Sequence, residues 1–151
     1  MVAKRKKTAR LVNLRTSKKG IRQVLGDLEA DIMEMLWRES PASVRDVHEV
    51  LAKDRTIAYT TVMTVMSRLA KKGILRRNQS GRAYLYLPTQ SREEFCSETI
   101  STVMQGLLGG FGEPVLSHFV ETVGSADADK LDEIVRLIEA RKKDEAEQSA
   151  I

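Results

Sequence analysis

The sequence predicts a mainly α-helical fold with one small β-hairpin, on three observations. The run YTTVMTVMSRLAKK, residues 59–72, places Val62, Val65, Met66 and Leu69 at i, i+3, i+4 and i+7, an apolar stripe along one side of a helix. Residues 82–87 alternate Ala83, Leu85 and Leu87 with Arg82, Tyr84 and Tyr86, the period of two that marks a half-buried strand. Helical spacing of apolar residues then returns three times after residue 90.

With 151 residues and 42% apolar content, the chain can form one domain or two small ones around a real core. Its net charge of +4 is unevenly spread: residues 1–22 hold nine Lys or Arg and no carboxylate, 23–42 are net −4, 43–88 net +6 and 89–151 net −7. Positive charge gathered on the start and the middle is the footprint of a phosphate-rich partner. Residues 1–22 repel themselves and lack a core, so a disordered basic arm is expected. Such an arm either lies along DNA or serves as a solubilising extension. A single cysteine, Cys96, forms no internal disulfide, and no run of about 20 apolar residues marks a membrane span, so a cytoplasmic protein without direct membrane association is expected.

In chain order, a first helix is expected over residues 25–38, with Asp27 near its positive end and Leu28, Ile32, Met35 and Leu36 inward. Trp37 near its end reads as a core or interface anchor, and Ser40, Pro41 and Ala42 form a turn. Ser43 and Asp46 have capping-box spacing, so a second helix starts there, with Val44, Val47 and Leu51 inward and Arg45 outward near its start, placed for a phosphate. His48 has no partner at ligand spacing, and no metal or other cofactor is expected. Residues 53–58 link to the central helix, which stops at Gly73 after Lys71 and Lys72. Residues 74–78, a turn at Gln79, Ser80 and Gly81, and residues 82–87 complete a hairpin lined by Arg76, Arg77 and Arg82.

Opposite its apolar stripe the central helix carries Thr60, Thr61, Thr64, Ser67, Arg68 and Lys71, hydroxyls and cations with no carboxylate. Helix, turn, helix and hairpin together read as a winged helix-turn-helix over residues 25–88, with the central helix in a major groove and the hairpin against the backbone of double-stranded DNA.

The runs LGDLEADIMEMLW, SVRDVHEVL, AYTTVMTVMSRLAKKGIL and GRAYLYLP together resemble the BlaI/MecI/CopY, or penicillinase repressor, family of bacterial winged-helix repressors. The resemblance spans residues 25 to about 140. It implies a homodimer on a dyad-symmetric operator, with Thr61, Thr64 and Arg68, and Thr60 beside them, facing the bases. Arginine can pair bidentately with guanine and threonine can contact a thymine methyl, a base edge or a phosphate. Arg45, Lys71 and Arg82 are assigned to the DNA backbone. Met63 borders this face where some relatives carry a polar residue.

Residues 91–140 are expected to form a C-terminal helical dimerisation domain. Ser91 and Glu94 again have capping-box spacing, and Phe95, Ile100, Val103, Leu107 and Leu108 follow. A glycine-rich break at residues 109–114 precedes a short helix with Leu116, Phe119, Val120 and Val123, and a last one begun near Ser125 carries Leu131, Ile134, Val135 and Ile138. Three short amphipathic helices make a thin core that a second copy would complete. Residues 141–151 read as a frayed charged tail. The β-lactam-linked branch of the family is released by proteolysis in this region, typically at Asn-Phe, so the resemblance implies a membrane-bound sensor protease as partner and His118–Phe119 as the matching step. Copper-responsive members carry paired C-x-C motifs that this chain lacks.

An enzyme is not expected: there is no glycine-rich phosphate loop, nucleophile elbow or ligand-spaced His/Cys/carboxylate cluster. Two other readings stand beside the repressor, a winged-helix regulator controlled by a small ligand and a winged-helix protein-interaction module.

Overall fold

A computed structural model describes residues 14–151. A 3-10 turn at Gly20–Gln23 leads into α1 (Asp27–Arg38), β1 (Ala42–Ser43), α2 (Val44–Leu51), α3 (Tyr59–Lys71), β2 (Leu75–Ser80), β3 (Ala83–Pro88), α4 (Arg92–Phe111), α5 (Glu113–Ala126) and α6 (Asp129–Ser149). The three strands form one antiparallel sheet in the order β1-β3-β2. Two compact units result, the first ending at Thr102 and the second beginning at Val103.

The first unit is built on α3. Its predicted stripe is buried throughout: Val62, Met66 and Leu69 are fully enclosed and Val65 nearly so, among Ile32, Met33 and Leu36 of α1, Val47 of α2 and Leu75 of β2. Truncating one such side chain to Ala costs about 2–5 kcal/mol, because the cavity left behind relaxes only partly. The helix ends as its sequence requires. Gly73 takes φ +72, its N–H donates to Ala70 O and that of Ile74 to Leu69 O, so the last carbonyls are satisfied in a Schellman turn closed by the buried pair Leu69 and Ile74. At α2 the expected box is present: Asp46 N–H donates to Ser43 Oγ (3.2 Å), and Ser43 N–H donates to Asp46 Oδ2 (2.8 Å). The Ser43 hydroxyl, which donates to the same Oδ2 (2.7 Å), and the Ser43 N–H hold the Asp46 carboxyl below its ordinary range.

Carboxylates on α1 fix α3 at both ends. Asp31 accepts Arg55, from the turn before α3, and also Arg22. Glu29 accepts Lys72 at the end of α3 (2.9 Å) and the Gly26 N–H at the start of α1 (2.8 Å).

Several boundaries differ from expectation. Gly20–Arg22, assigned to the arm, belong to the first unit: they lie in the 3-10 turn, Ile21 is buried, and Arg15 N–H donates to Gln23 O. Residues 1–13 of that arm lie outside the described residues. The first helix starts at Asp27, two residues late, and Met33 and Ala30 join its buried face. Ala42, expected as turn, pairs with Tyr86, and Ser43, which caps α2 as expected, pairs with Leu85. The hairpin loop is Gly81-Arg82, since Gln79 and Ser80 stay in β2 opposite Tyr84 and Ala83. Gly81 carries φ +63, the sign a two-residue loop needs at its first position. Tyr86 is the residue of β3 that is buried, while Ala83 is exposed. Leu85 and Leu87 are half-buried and Tyr84 exposed, so the strand is half-buried as its alternation indicates, with Tyr86 covered as well where β3 meets β1.

In the C-terminal half, Gly109 and Gly110 stay helical within α4, and the break is confined to Gly112, φ +66. α6 begins at Asp129, not near Ser125, and its helix runs on through the charged residues to Ser149. Alternating Arg, Lys, Asp and Glu sustain it, as in the Arg141–Glu145 pair (3.1 Å) at i,i+4.

Glu29 gives a pH test. Burial pushes its carboxyl up, but the Gly26 N–H and Lys72 outweigh that and hold it below the ordinary glutamate range. A carboxyl lowered on folding stabilises above its unfolded value, and that contribution is lost as pH falls through the folded value. Urea unfolding followed by Trp37 fluorescence is expected to show Glu29→Gln less stable by about 1–2 kcal/mol near neutral pH. The gap should close in acid; a gap constant with pH would show that the carboxylate charge is not what matters.

Candidate nucleic-acid interface

The outer side of α3 is polar and unobstructed. Its first turn contains no acid, and Thr60, Thr61, Thr64, Arg68 and Lys71 are exposed along one stripe, with Ser67 half-buried beside them. Thr64 Oγ1 donates to Thr60 O (2.8 Å), which fixes that rotamer against the helix. Tyr59 and Met63 flank the stripe as exposed apolar groups. The start of α3 is held by α2: His48 Nε2 lies 2.9 Å from Ile57 O, and the His48 ring meets Tyr59 edge-on at 5.8 Å.

The hairpin continues this surface in the sequence through the turn at Lys72–Ile74. After buried Leu75, the side chains of Arg76, Arg77, Asn78, Gln79 and Ser80 are all exposed, as is Arg82 in the loop. Arg77 stacks its guanidinium 4.6 Å from the centre of the Tyr84 ring, a cation–π contact that keeps it extended.

Engaged and unengaged cations separate cleanly. Arg22, Arg55, Lys72 and Arg92 are bound to Asp31, Asp31, Glu29 and Glu34 of α1. Among the described residues, Arg68, Lys71, Arg76, Arg77 and Arg82 form no ion pair. Of these, Arg68 still acts at longer range on the Glu29 carboxylate; exposed cations without an ion pair are what a phosphate backbone neutralises.

The structure therefore brings Thr60, Thr61, Thr64, Arg68 and Lys71 together and sets Arg82 at the hairpin tip. Arg45, expected to be free for a phosphate, is exposed but paired with Glu49 (2.9 Å), which raises its pKa. Arg77 was the residue underweighted by sequence reasoning; the signal was available, because antiparallel register brings it diagonal to Tyr84.

Of the residues expected to pair two copies, Phe95 is not available: it is buried in the first unit, 5.5 Å from the Trp37 ring. Ile100, Leu107, Leu116, Phe119, Val120 and Ile138 are exposed, and Val103, Leu131 and Ile134 half-buried. Phe111, at 70% the most exposed aromatic, joins them. His118 and Phe119 sit mid-way along α5, both exposed, with His118 Nδ1 3.6 Å from Glu121. Among the described residues no His, Cys, Asp or Glu group is arranged to hold a metal, and no helix is long and apolar enough to cross a membrane.

Residues 25–140 match the family model described as Penicillinase repressor. The chain belongs to the penicillinase repressor family. Its members are transcriptional repressors, not enzymes. The chain is 42% identical over 118 residues to the transcriptional regulator BlaI of Mycobacterium tuberculosis, covering 77% of this chain and 86% of that one. It is 23% identical over 118 residues to the penicillinase repressor of Bacillus licheniformis, covering 78% and 91%. A solution structure of the DNA-binding domain of the repressor BlaI shares 32% identity across 49% of this chain and 89% of its own, with a TM-score of 0.42.

The placement of Phe95 separates two roles within α4. Phe95→Ala is expected to destabilise the first unit by about 3–5 kcal/mol in Trp37-monitored unfolding. Ile100→Ala, at a position 63% exposed, should leave that transition within about 0.5 kcal/mol of the parent. Equal effects would show that Phe95 is not a core residue.

Proposed function

We propose that the chain is a sequence-specific DNA-binding transcriptional repressor acting as a dimer on a dyad-symmetric operator. The observation that carries this reading is the set of exposed hydroxyls and cations without an ion pair, Thr60, Thr61, Thr64, Arg68, Lys71, Arg76, Arg77 and Arg82, backed by a helix stripe that is wholly buried. α3 is the element that enters the major groove, with Thr60, Thr61, Thr64 and Arg68 toward the bases. Lys71, Arg77 and Arg82 neutralise backbone phosphates, and Arg45 joins them by exchanging Glu49 for a phosphate. The basic residues before Gly20 add further charge-driven affinity.

The second unit serves as the dimerisation domain. Its exposed Leu107, Leu116, Phe119, Val120 and Ile138 leave apolar side chains in water that a second copy would cover. Two half-sites bound by joined modules gain from effective concentration, so dimerisation sets operator affinity.

Release by proteolysis in a sensor-protease pathway of the β-lactam-response type fits this arrangement. Cutting His118–Phe119 severs α5 and detaches Phe119, Val120 and all of α6 from the DNA-binding unit. Membranes carrying the sensor protease, exposed to inducer, are expected to yield a fragment ending at His118; an intact chain would leave release to another route.

Footprinting on the DNA flanking the chain's own gene tests the central reading. A protected site with half-sites about 10 bp apart, or a multiple, that survives random competitor duplex is the expected result. On that site Arg68→Ala should cost about 1–3 kcal/mol while random-duplex affinity falls far less. Protection that disappears with competitor, or equal losses on both duplexes, overturns base reading by α3.

A further inference from the structure

The hairpin divides into an anchored base and an open outer half. At the base, Thr89 Oγ1 donates to Gly73 O (2.8 Å) and Thr89 N–H to Ile74 O (3.0 Å), so the chain leaving β3 is bonded to the turn that closes α3. β1 flanks β3 at Tyr86 and Leu85, and Tyr86 is buried. Nearer the tip, Gln79 pairs with Tyr84 and Ser80 with Ala83, and all four are exposed. Arg77 stands at the border. Its strand partner is the buried Tyr86, while its guanidinium lies 4.6 Å from the centre of the Tyr84 ring, two positions nearer the tip on the same face. Among the described residues no other cation is stacked on an aromatic ring.

A long side chain surrounded by water samples many rotamers, and ordering it on a ligand costs about two- to tenfold in affinity. A guanidinium laid on a ring has lost most of that freedom before it binds. Stacking also uses only the flat face of the group, so the N–H donors in its plane, the ones that match phosphate oxygens, are left to donate. We infer that Tyr84 is a positioning residue, whose ring presents the Arg77 guanidinium to one particular phosphate beside each half-site. This rests on the operator-binding reading above, in which Arg77 meets the DNA backbone. Because the hairpin base is bonded to the α3–β2 turn, the place of that phosphate relative to the bases facing α3 is fixed, and a single position is expected.

The probe is the duplex recovered by footprinting, its phosphates replaced one at a time by uncharged methylphosphonates, with the full-length protein. One replacement beside each half-site is expected to cost the parent about tenfold and to cost Arg77→Met nothing. Tyr84→Leu, at an exposed position, keeps every charge and so should keep the parent's salt dependence. It should nevertheless bind about two- to tenfold more weakly, with its sensitivity spread over neighbouring phosphates in place of one. Tyr84→Phe, which retains the ring, should match the parent in each respect. In the free protein, the ring-current shielding of the Arg77 Nε–H proton in NMR spectra should vanish in Tyr84→Leu and persist in Tyr84→Phe. A Tyr84→Leu protein as sensitive as the parent at that one phosphate, a Tyr84→Phe protein that behaves like Tyr84→Leu, or a parent with no phosphate whose effect depends on Arg77 overturns the inference while leaving operator binding intact. Absence of any competitor-resistant site instead removes the operator reading, and the inference with it.

Discussion

Everything in the first unit follows from the complete burial of one face of α3. Val62, Met66 and Leu69 have no water contact, so the helix cannot rotate about its axis without exposing apolar area worth about 25 cal/mol per Å². Because the face is fixed, the opposite side is fixed too, and Thr60, Thr61, Thr64 and Arg68 project together, with the Thr64 hydroxyl bonded back to Thr60 O. Translation along the axis is resisted separately. Asp31 and Glu29 stand two residues apart on α1, one taking Arg55 before α3 and the other Lys72 after it. The polar surface is thus preorganised from behind, by atoms that never meet a ligand.

This explains how much could be read from the sequence. The stripe of α3, its stop at Gly73 and both capping boxes are local: each depends on residues three or four apart, and each is found where spacing puts it. What spacing could not reveal is tertiary choice. Tyr86 is buried and Ala83 exposed because β1 and the helices cover one end of the hairpin, a fact absent from the alternation itself. Phe95 has the pattern of an α4 stripe residue, but Trp37, more than fifty positions earlier, claims it for the core. Two adjacent glycines at 109–110 read as a break, yet a residue with no side chain to clash and a continuing hydrogen-bond ladder stays helical at a cost of about 1 kcal/mol each. For the outer face, composition identified which side carries exposed hydroxyls and cations; which cations are free of ion pairs depended on finding the carboxylates that occupy the others.

Charge is handled differently in the two halves. In the first unit the acids of α1 are consumed internally, by Arg22, Arg55, Lys72 and Arg92, so their negative charge is cancelled where it would otherwise repel phosphate. The second unit has no such inward pairing among its described residues; its ion pairs are exposed neighbours along one helix, Arg141–Glu145 and His118–Glu121. Exposed pairs of this kind contribute little to stability. They keep a helix soluble while its Leu, Ile, Val and Phe residues remain uncovered, and they leave those residues as the source of any strong association.

The two halves need each other for a quantitative reason. If α3 reads bases as proposed, three threonines and one arginine are a sparse reading head: a bidentate arginine contact discriminates by about 1–3 kcal/mol, and hydroxyl contacts add less, so one half-site reaches on the order of 5 kcal/mol. At about 1.4 kcal/mol per decade that is a few thousandfold, against about 10⁶ or more competing sites in a genome. A single copy would spend most of its time elsewhere. Two copies held together add their discrimination and reach about 10⁷, which crosses that threshold. On the proposed reading, the exposed apolar side chains beyond Thr102 are what the modest polar face on α3 requires, and a loss of association would end specific binding without touching α3.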